Sequence, residues 1–245
     1  MKAFASIAVI VTISLASVSV LHAQATDAAP GYKNKNLPVE RRVADLLSRM
    51  TLEEKVAQTL CIWRNDRLFN TDGTVKPGAA ELVKNGIGEI ARISQEVGPR
   101  EGALRANALQ KVVMESSRLG IPAIFHDEGL HGLMTKGSTN FPQAMALAGT
   151  WDPELAGRVF TAVALESRAR GVSHLLTPVL DLARDPRWGR TEETYGEDPY
   201  LVTRMGVACI RALQGAGPFV DDRHVVATAK HFAAHGQPEG GLNQG

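Results

Sequence analysis

Cysteine is scarce in this chain: Cys61 and Cys209 are its only two, and they lie far apart. Two cysteines cannot make a disulfide framework, and no Cys/His cluster has zinc spacing. Each sits in an apolar context that predicts a buried free thiol rather than a bridge. Net charge is nearly absent, +1 from 27 basic and 26 acidic side chains, so nothing in the balance points to nucleic acid or a membrane surface. A Walker A loop and a GxGxxG turn after a strand are both missing, and no cofactor is expected. Long apolar runs are missing too, with one exception, Ala3 to Val20. That run follows Met1-Lys2 and precedes Ala23-Gln24-Ala25, a small-x-small cleavage pattern. Residues 1–25 therefore read as a secretory signal cut after Ala23 or Ala25. The mature chain is expected to be secreted or periplasmic, with no stable membrane insertion.

What is present is a rhythm of short apolar runs and amphipathic stretches. Strands are predicted at Thr59–Trp63, Gly88–Ser94, Ile121–Phe125, Leu175–Leu182 and Val225–Ala229. Between them the spacing predicts helices over 38–49, from Leu52, over 79–84, over 99–119, from Pro153 to Arg170, and over 199–213. The helix over 99–119 should bury Leu104, Ala108, Val112 and Leu119. Thr51-Leu52-Glu53-Glu54 is a capping box, and Asp152 and the Glu197-Asp198-Pro199 run mark further helix starts. Strands alternating with helices predict parallel βαβ units. Polar residues gather just past the carboxyl ends of the strands, where a (β/α)8 barrel places its site. A doubly wound open sheet, which also binds there, is the alternative. A barrel of this kind takes about 250 residues, and Val225–Ala229 is followed by a loop with no closing helix. The expectation is an incomplete barrel over residues 26–245.

Four polar clusters sit at these strand ends: Trp63-Arg64, Asp127-Glu128 with His131, Asp181 to Arg190, and Lys230-His231 with His235. Taken singly, each has a structural explanation. Asp127 can cap a turn, Asp185 can pair with Arg187 or Arg190, and each tryptophan (Trp63, Trp151, Trp188) can be core. His126, His131 and His235 lack the paired spacing and carboxylate support of a metal site, so no metal is expected. Together the clusters offer carboxylates, cationic forks and aromatic faces on a rigid frame, which suits a neutral polyhydroxylated ligand. Glu128, Arg190, Lys230 and His231 have that chemistry. Glycoside hydrolysis needs two carboxyl groups; Asp127, Glu128, Asp185, Glu193 and Glu239 are available, and spacing selects no pair.

Several of these runs, in order across residues 40–245, resemble the N-terminal barrel of glycoside hydrolase family 3, the β-glucosidase and β-xylosidase family. They include Phe125-His126-Asp127-Glu128-Gly129-Leu130-His131-Gly132, Thr177-Pro178-Val179-Leu180-Asp181, Arg184-Asp185-Pro186-Arg187-Trp188-Gly189-Arg190 and Lys230-His231-Phe232-Ala233-Ala234-His235-Gly236. The resemblance implies a (β/α)8 barrel and a retaining mechanism through a covalent glycosyl-enzyme. It also implies a small oligosaccharide or aryl glycoside substrate. Glu128, Arg190, Lys230 and His231 match the positions that hold the sugar in the −1 subsite. Many relatives have Asp at Glu128, and the longer carboxylate is similar to xylosidase-type members, with glucose, xylose and arabinose all open. The family's nucleophile and acid/base have no matching position before residue 245, so no catalytic residue is assigned and this chain alone is expected to be inactive. A β-N-acetylhexosaminidase of the same family and a catalytically silent sugar-binding protein are the alternatives.

Overall fold

The computed structural model describes residues 30–63 and 65–243; the signal segment lies outside the described residues. The chain divides into two compact units, 1–49 and 50–245. In the first, helix α1 (Val39–Arg49) follows a short 3-10 turn at Gly31–Lys33. Asp45 ties the two together by accepting the Tyr32 N–H (2.9 Å) and the Arg49 guanidinium (2.8 Å).

The second unit begins at helix α2 (Leu52–Ala57). Its capping box forms as the sequence predicts: Thr51 Oγ1 accepts the Glu54 N–H (3.2 Å), and Glu54 accepts the Thr51 N–H (2.9 Å). Glu54 also holds Arg118 in a two-pronged pair (2.6 and 2.9 Å), pinning the helix start to a distant part of the chain. Five strands follow: β1 (Cys61–Ile62), β2 (Glu89–Ala91), β3 (Ile124–Asp127), β4 (His174–Leu175) and β5 (Val226–Ala227). All pair in parallel, in the order β1-β2-β3-β4-β5. That order decides between the two expected architectures. A doubly wound sheet reverses its winding at a switch point, whereas here each strand adds beside the last, as in a barrel wall. β1 and β5 are not paired with each other, so the wall is open.

Helices α3 (Ala79–Leu82), α4 (Pro99–Ser116), α5 (Ala144–Ala148), α6 (Pro153–Ala169) and α7 (Pro199–Gln214) fill the crossovers. Asp152 and Asp198 cap α6 and α7 by accepting the Leu155 and Leu201 N–H groups (2.8 Å each), with proline at the first helical position of both. Two apolar clusters back the sheet. One joins Ile90 and Phe125 to Leu109 and Val113 of α4. The other joins Leu175 and Val225 to Val159, Phe160 and Val163 of α6 and Met205 and Leu213 of α7.

Several boundaries differ from expectation: β3 starts three residues later than the Ile121–Phe125 run and ends at Asp127, β2 is shorter than Gly88–Ser94, and α4 ends at Ser116. Four further details differ as well. The apolar run over 175–182 is not one strand: only its first residue lies in β4. Pro178 has no N–H to give the ladder, and pairing resumes only at Val179, opposite Lys230. The buried face of α4 is Gly102, Ala106, Leu109 and Val113, while Leu104 is 48% exposed. Close approach selects that face, since a Cβ on Gly102 would stand 2.7 Å from the Ser94 Cβ. Cys209 is buried but Cys61 is exposed, and both thiols are free. Of the tryptophans only Trp188 is core; Trp63 and Trp151 are exposed.

One glycine sets how tightly α2 docks on the sheet. A Cβ at Gly88 would lie 2.1 Å from the Gln58 carbonyl oxygen, a backbone atom that cannot swing aside. Gly88→Ala is expected to destabilise the fold by about 2–3 kcal/mol, as overpacking does. Urea unfolding at constant m would read this, and an unchanged midpoint would show that the two segments separate freely.

Candidate active site

Residues with even spacing along the strands face away from the helices and build a polar wall. Its lower layer is Glu89, His126, His174 and Thr228. Glu89 approaches His126 Nδ1 at 2.7 Å and His174 Nδ1 at 3.5 Å, and His174 Nε2 meets the Thr228 hydroxyl. Burial, with the nearby His126 ring, holds the His174 pKa below its ordinary value despite Glu89. Cys61, Glu89 and His126 bring metal-type donor atoms within 4.8 Å of one another. His131 and His235, the other histidines weighed for metal, have no part in that grouping.

Two residues further along β3 and past β5 come Glu128 and Lys230. Lys230 Nζ donates to Glu128 Oε2 at 2.9 Å, with both side chains largely buried. Arg92, just past β2, stands 3.7 Å from the other carboxylate oxygen. Arg190 comes from the loop after β4, where it donates to both oxygens of Glu193 (2.8 and 2.7 Å). Burial pushes the Glu193 carboxyl up, but Arg190's bonds and charge, with Lys230 and His231, hold it below the ordinary carboxylate value. Glu193's bonds raise Arg190 in turn. Glu128, Arg190, Lys230, Arg92 and His131 line one cavity of about 320 Å³ at the carboxyl ends of the strands.

His231 is turned to an adjoining cavity of about 460 Å³, which Lys230 also borders. Its backbone N–H and ring Nδ1 both reach Asp181 Oδ2, at 3.2 and 2.6 Å. A carboxylate can only accept, so Nδ1 carries a proton toward Asp181. Arg190 Nη1 lies 3.2 Å from His235 Nε2, which must accept. The ring of His235 stacks edgewise between Trp188 (5.3 Å) and His231 (4.5 Å). Trp188 is anchored by Asn243, at 2.9 Å from its Nε1. The loop is thus tied through Trp188 and His235 to the segment after β5.

Of the four site residues expected from the sequence, the structure gathers Glu128, Arg190 and Lys230 on one cavity and places His231 beside it. Asp181, Glu193 and Arg92 belong to the same constellation; the sequence marks Asp181 only within a polar cluster and Glu193 only among the available carboxyl groups, and Arg92 not at all. A buried acid ending an apolar run was the available signal for Asp181. Asp185 pairs with Arg187 at 2.7 Å, which holds its carboxyl at about 2, and it takes no part in the cavity.

Comparison with known proteins identifies the family. The model of the "Glycosyl hydrolase family 3 N terminal domain" matches residues 51–245. A putative β-xylosidase of Formosa agariphila is 39% identical over 86% of this chain and 29% of its own length. A periplasmic β-glucosidase of Salmonella typhimurium is 34% identical over 86% of this chain and 26% of its own. The solved structure of a β-glucosidase from Erythrobacter marinus superposes with a TM-score of 0.79 at 39% identity, covering 87% of this chain and 28% of that one. The chain therefore spans less than a third of the length of each of these relatives. With its sequential parallel wall and its cationic, carboxylate-lined cavity at the strand ends, the chain belongs to glycosyl hydrolase family 3, as an N-terminal domain of that family.

Proposed function

We propose that this chain is the sugar-holding part of an exported retaining β-glycosidase that releases terminal β-linked xylosyl or glucosyl residues. The observation that carries the reading is the Glu128–Lys230 pair, which opens with Arg190 onto one cavity at the carboxyl ends of parallel strands. A carboxylate accepts hydroxyl protons, while an ammonium and a guanidinium donate to hydroxyl oxygens, so one ring can be bonded from several sides. Such bonds aid hydrolysis when they strengthen as positive charge develops on the ring. His231, with Nδ1 held by Asp181, suits a further hydroxyl, which can donate or accept at Nε2. The nucleophile and the acid/base are proposed to come from outside these 245 residues, and export from the signal over residues 1–25.

The test is made on the protein as its gene encodes it. Aryl β-xyloside or aryl β-glucoside should be cleaved with retention of anomeric configuration, seen by proton NMR of the first-formed sugar, and aryl N-acetylglucosaminide should not. Binding of xylose or glucose without turnover would make it a sugar-binding protein instead. Absence of both binding and cleavage would remove the reading.

A further inference from the structure

In the lower layer of the wall, three consecutive strands each bring one metal-type donor to the same place. Cys61 comes from β1, Glu89 from β2 and His126 from β3, and their donor atoms all lie within 4.8 Å of one another. The register explains the meeting. Cys61 pairs with Glu89 across β1 and β2. His126 pairs with Ala91, so it stands two residues further along the sheet than Ile124, the partner of Glu89. No two of these donors share a helix or a loop, which is why histidine spacing in the sequence points away from a metal.

His126 sets the cluster apart from a chance gathering. It is 4% exposed, and neither ring nitrogen has a hydrogen-bond partner among the described residues. Glu89 Oε2 comes within 2.7 Å of its Nδ1 but without hydrogen-bond geometry. A buried polar ring left in that state calls for a further partner, and a metal ion is one that imidazole nitrogen takes. The ring is already held in place, with Trp63 at 5.8 Å and His174 at 5.9 Å between centroids. Glu89 is steadied from its other side. Its Oε1 lies 3.5 Å from His174 Nδ1, and the Thr228 hydroxyl meets the far nitrogen of that ring. Outer contacts of this kind orient metal ligands. Cys61 is a free, exposed thiol on an edge strand, which leaves a path for an ion to enter.

We propose that Cys61, Glu89 and His126 bind one zinc ion, with water in the fourth position, and that the ion staples β1, β2 and β3 together. The inference does not rest on the proposed function. The donor set selects the metal. A thiolate and an imidazole suit a borderline-soft ion, whereas calcium and magnesium take oxygen donors. Coordination releases the Cys61 thiol proton to solvent. Thiolate and carboxylate then carry two negative charges, which a divalent cation cancels. Donor atoms around tetrahedral zinc sit roughly 3.3–3.6 Å apart. The cluster therefore closes by about 1 Å, within reach of side-chain rotation.

The experiment is calorimetric titration with zinc chloride of the protein as its gene encodes it, stripped beforehand with EDTA. The parent is compared with Cys61→Ser, Glu89→Gln and His224→Ala. The parent should take up a zinc ion that Cys61→Ser binds about a hundredfold more weakly and Glu89→Gln at least tenfold more weakly. His224→Ala should bind it as the parent does. Cobalt in place of zinc should give a sulfur-to-cobalt charge-transfer band in the parent and not in Cys61→Ser. Saturating zinc should raise the urea midpoint of the parent and leave that of Cys61→Ser where it is. No uptake by the parent, or uptake that Cys61→Ser leaves unchanged, overturns the inference. Uptake lost only in His224→Ala also overturns it, since the ion would then sit at the surface His224–Asp221 pair. Should Cys61→Ser not fold, Glu89→Gln must weaken uptake and the cobalt band must appear in the parent, or the inference falls.

Discussion

Exchanging Lys230 for methionine is expected to weaken the binding of a monosaccharide by about a hundredfold, roughly 3 kcal/mol, in line with the loss of a hydrogen bond to a charged donor. Two effects act together. The ammonium that donates to a sugar hydroxyl is gone, and Glu128 loses the partner that orients its Oε2 at 2.9 Å. The fold should suffer as well. Side-chain exposures of 11% and 14% leave little water to take over from the lysine. Removing one half of a buried ion pair costs about 3–5 kcal/mol. Arg92 at 3.7 Å still faces the carboxylate and should keep the loss at the lower end of that range. A double exchange separates the two consequences. Lys230→Met with Glu128→Leu replaces the whole pair by apolar groups, and such replacements are often neutral for stability. The double variant should therefore recover the unfolding midpoint and stay unable to bind xylose or glucose in calorimetric titration. Recovered binding would mean that the sugar is held elsewhere, and an unrecovered midpoint would mean that the pair has structural partners beyond the two residues.

The same pair shows why some of this molecule is legible in its sequence and some is not. Helix starts were legible because their chemistry is local: Thr51 with Glu54, Asp152 with Pro153 and Asp198 with Pro199 each act within three residues. Glu128 and Lys230 stand 102 residues apart, and only the barrel winding places their strands so that the side chains meet. Their motifs marked them as site residues, but nothing short of the sheet order could show them paired. The ladder at β4 was misread for a related reason. Apolar character continues to Leu182, yet pairing depends on the partner strand and on Pro178, which cannot donate. On α4, two stripes satisfy helical periodicity, and the choice between them is made by close approach: a Cβ on Gly102 would stand 2.7 Å from the Ser94 Cβ, and one on Gly171 2.5 Å from the Ala106 Cβ. Arg92 was illegible altogether: a lone arginine after a strand gives no sign that it will stack on Trp63 and face Glu128.

Asp127 should make the stability of this domain fall as pH rises, against the usual behaviour of carboxylates, and Asp127→Asn should abolish much of that fall. The side chain is fully buried. One oxygen accepts the Glu128 N–H at 2.8 Å, and the other has no hydrogen-bond partner among the described residues. Burial pushes its pKa from 3.8 up to about 7; the Glu128 N–H and Arg92 pull it down, and the Glu128 carboxylate adds a smaller push upward. The sign follows from proton counting. Between about 4 and about 7 the folded chain keeps a proton that the unfolded chain has released. The associated stability is complete below the unfolded pKa and is lost as pH rises through the folded one. At 1.36 kcal/mol per unit, a shift of about three units gives a loss on the order of 4 kcal/mol by pH 8. Histidines titrate in the same window, and His174, held low by burial, contributes with the opposite sign. The difference between parent and variant cancels them. Urea unfolding at pH 5 and pH 8 should therefore show Asp127→Asn gaining on the parent by up to several kcal/mol at the higher pH and by much less at the lower. The amide keeps the shape of the protonated acid and never ionises, so the gain isolates the charge. Equal differences at the two pH values would mean that Asp127 is already ionised in the fold, with its second oxygen satisfied by water rather than left bare beside Glu128.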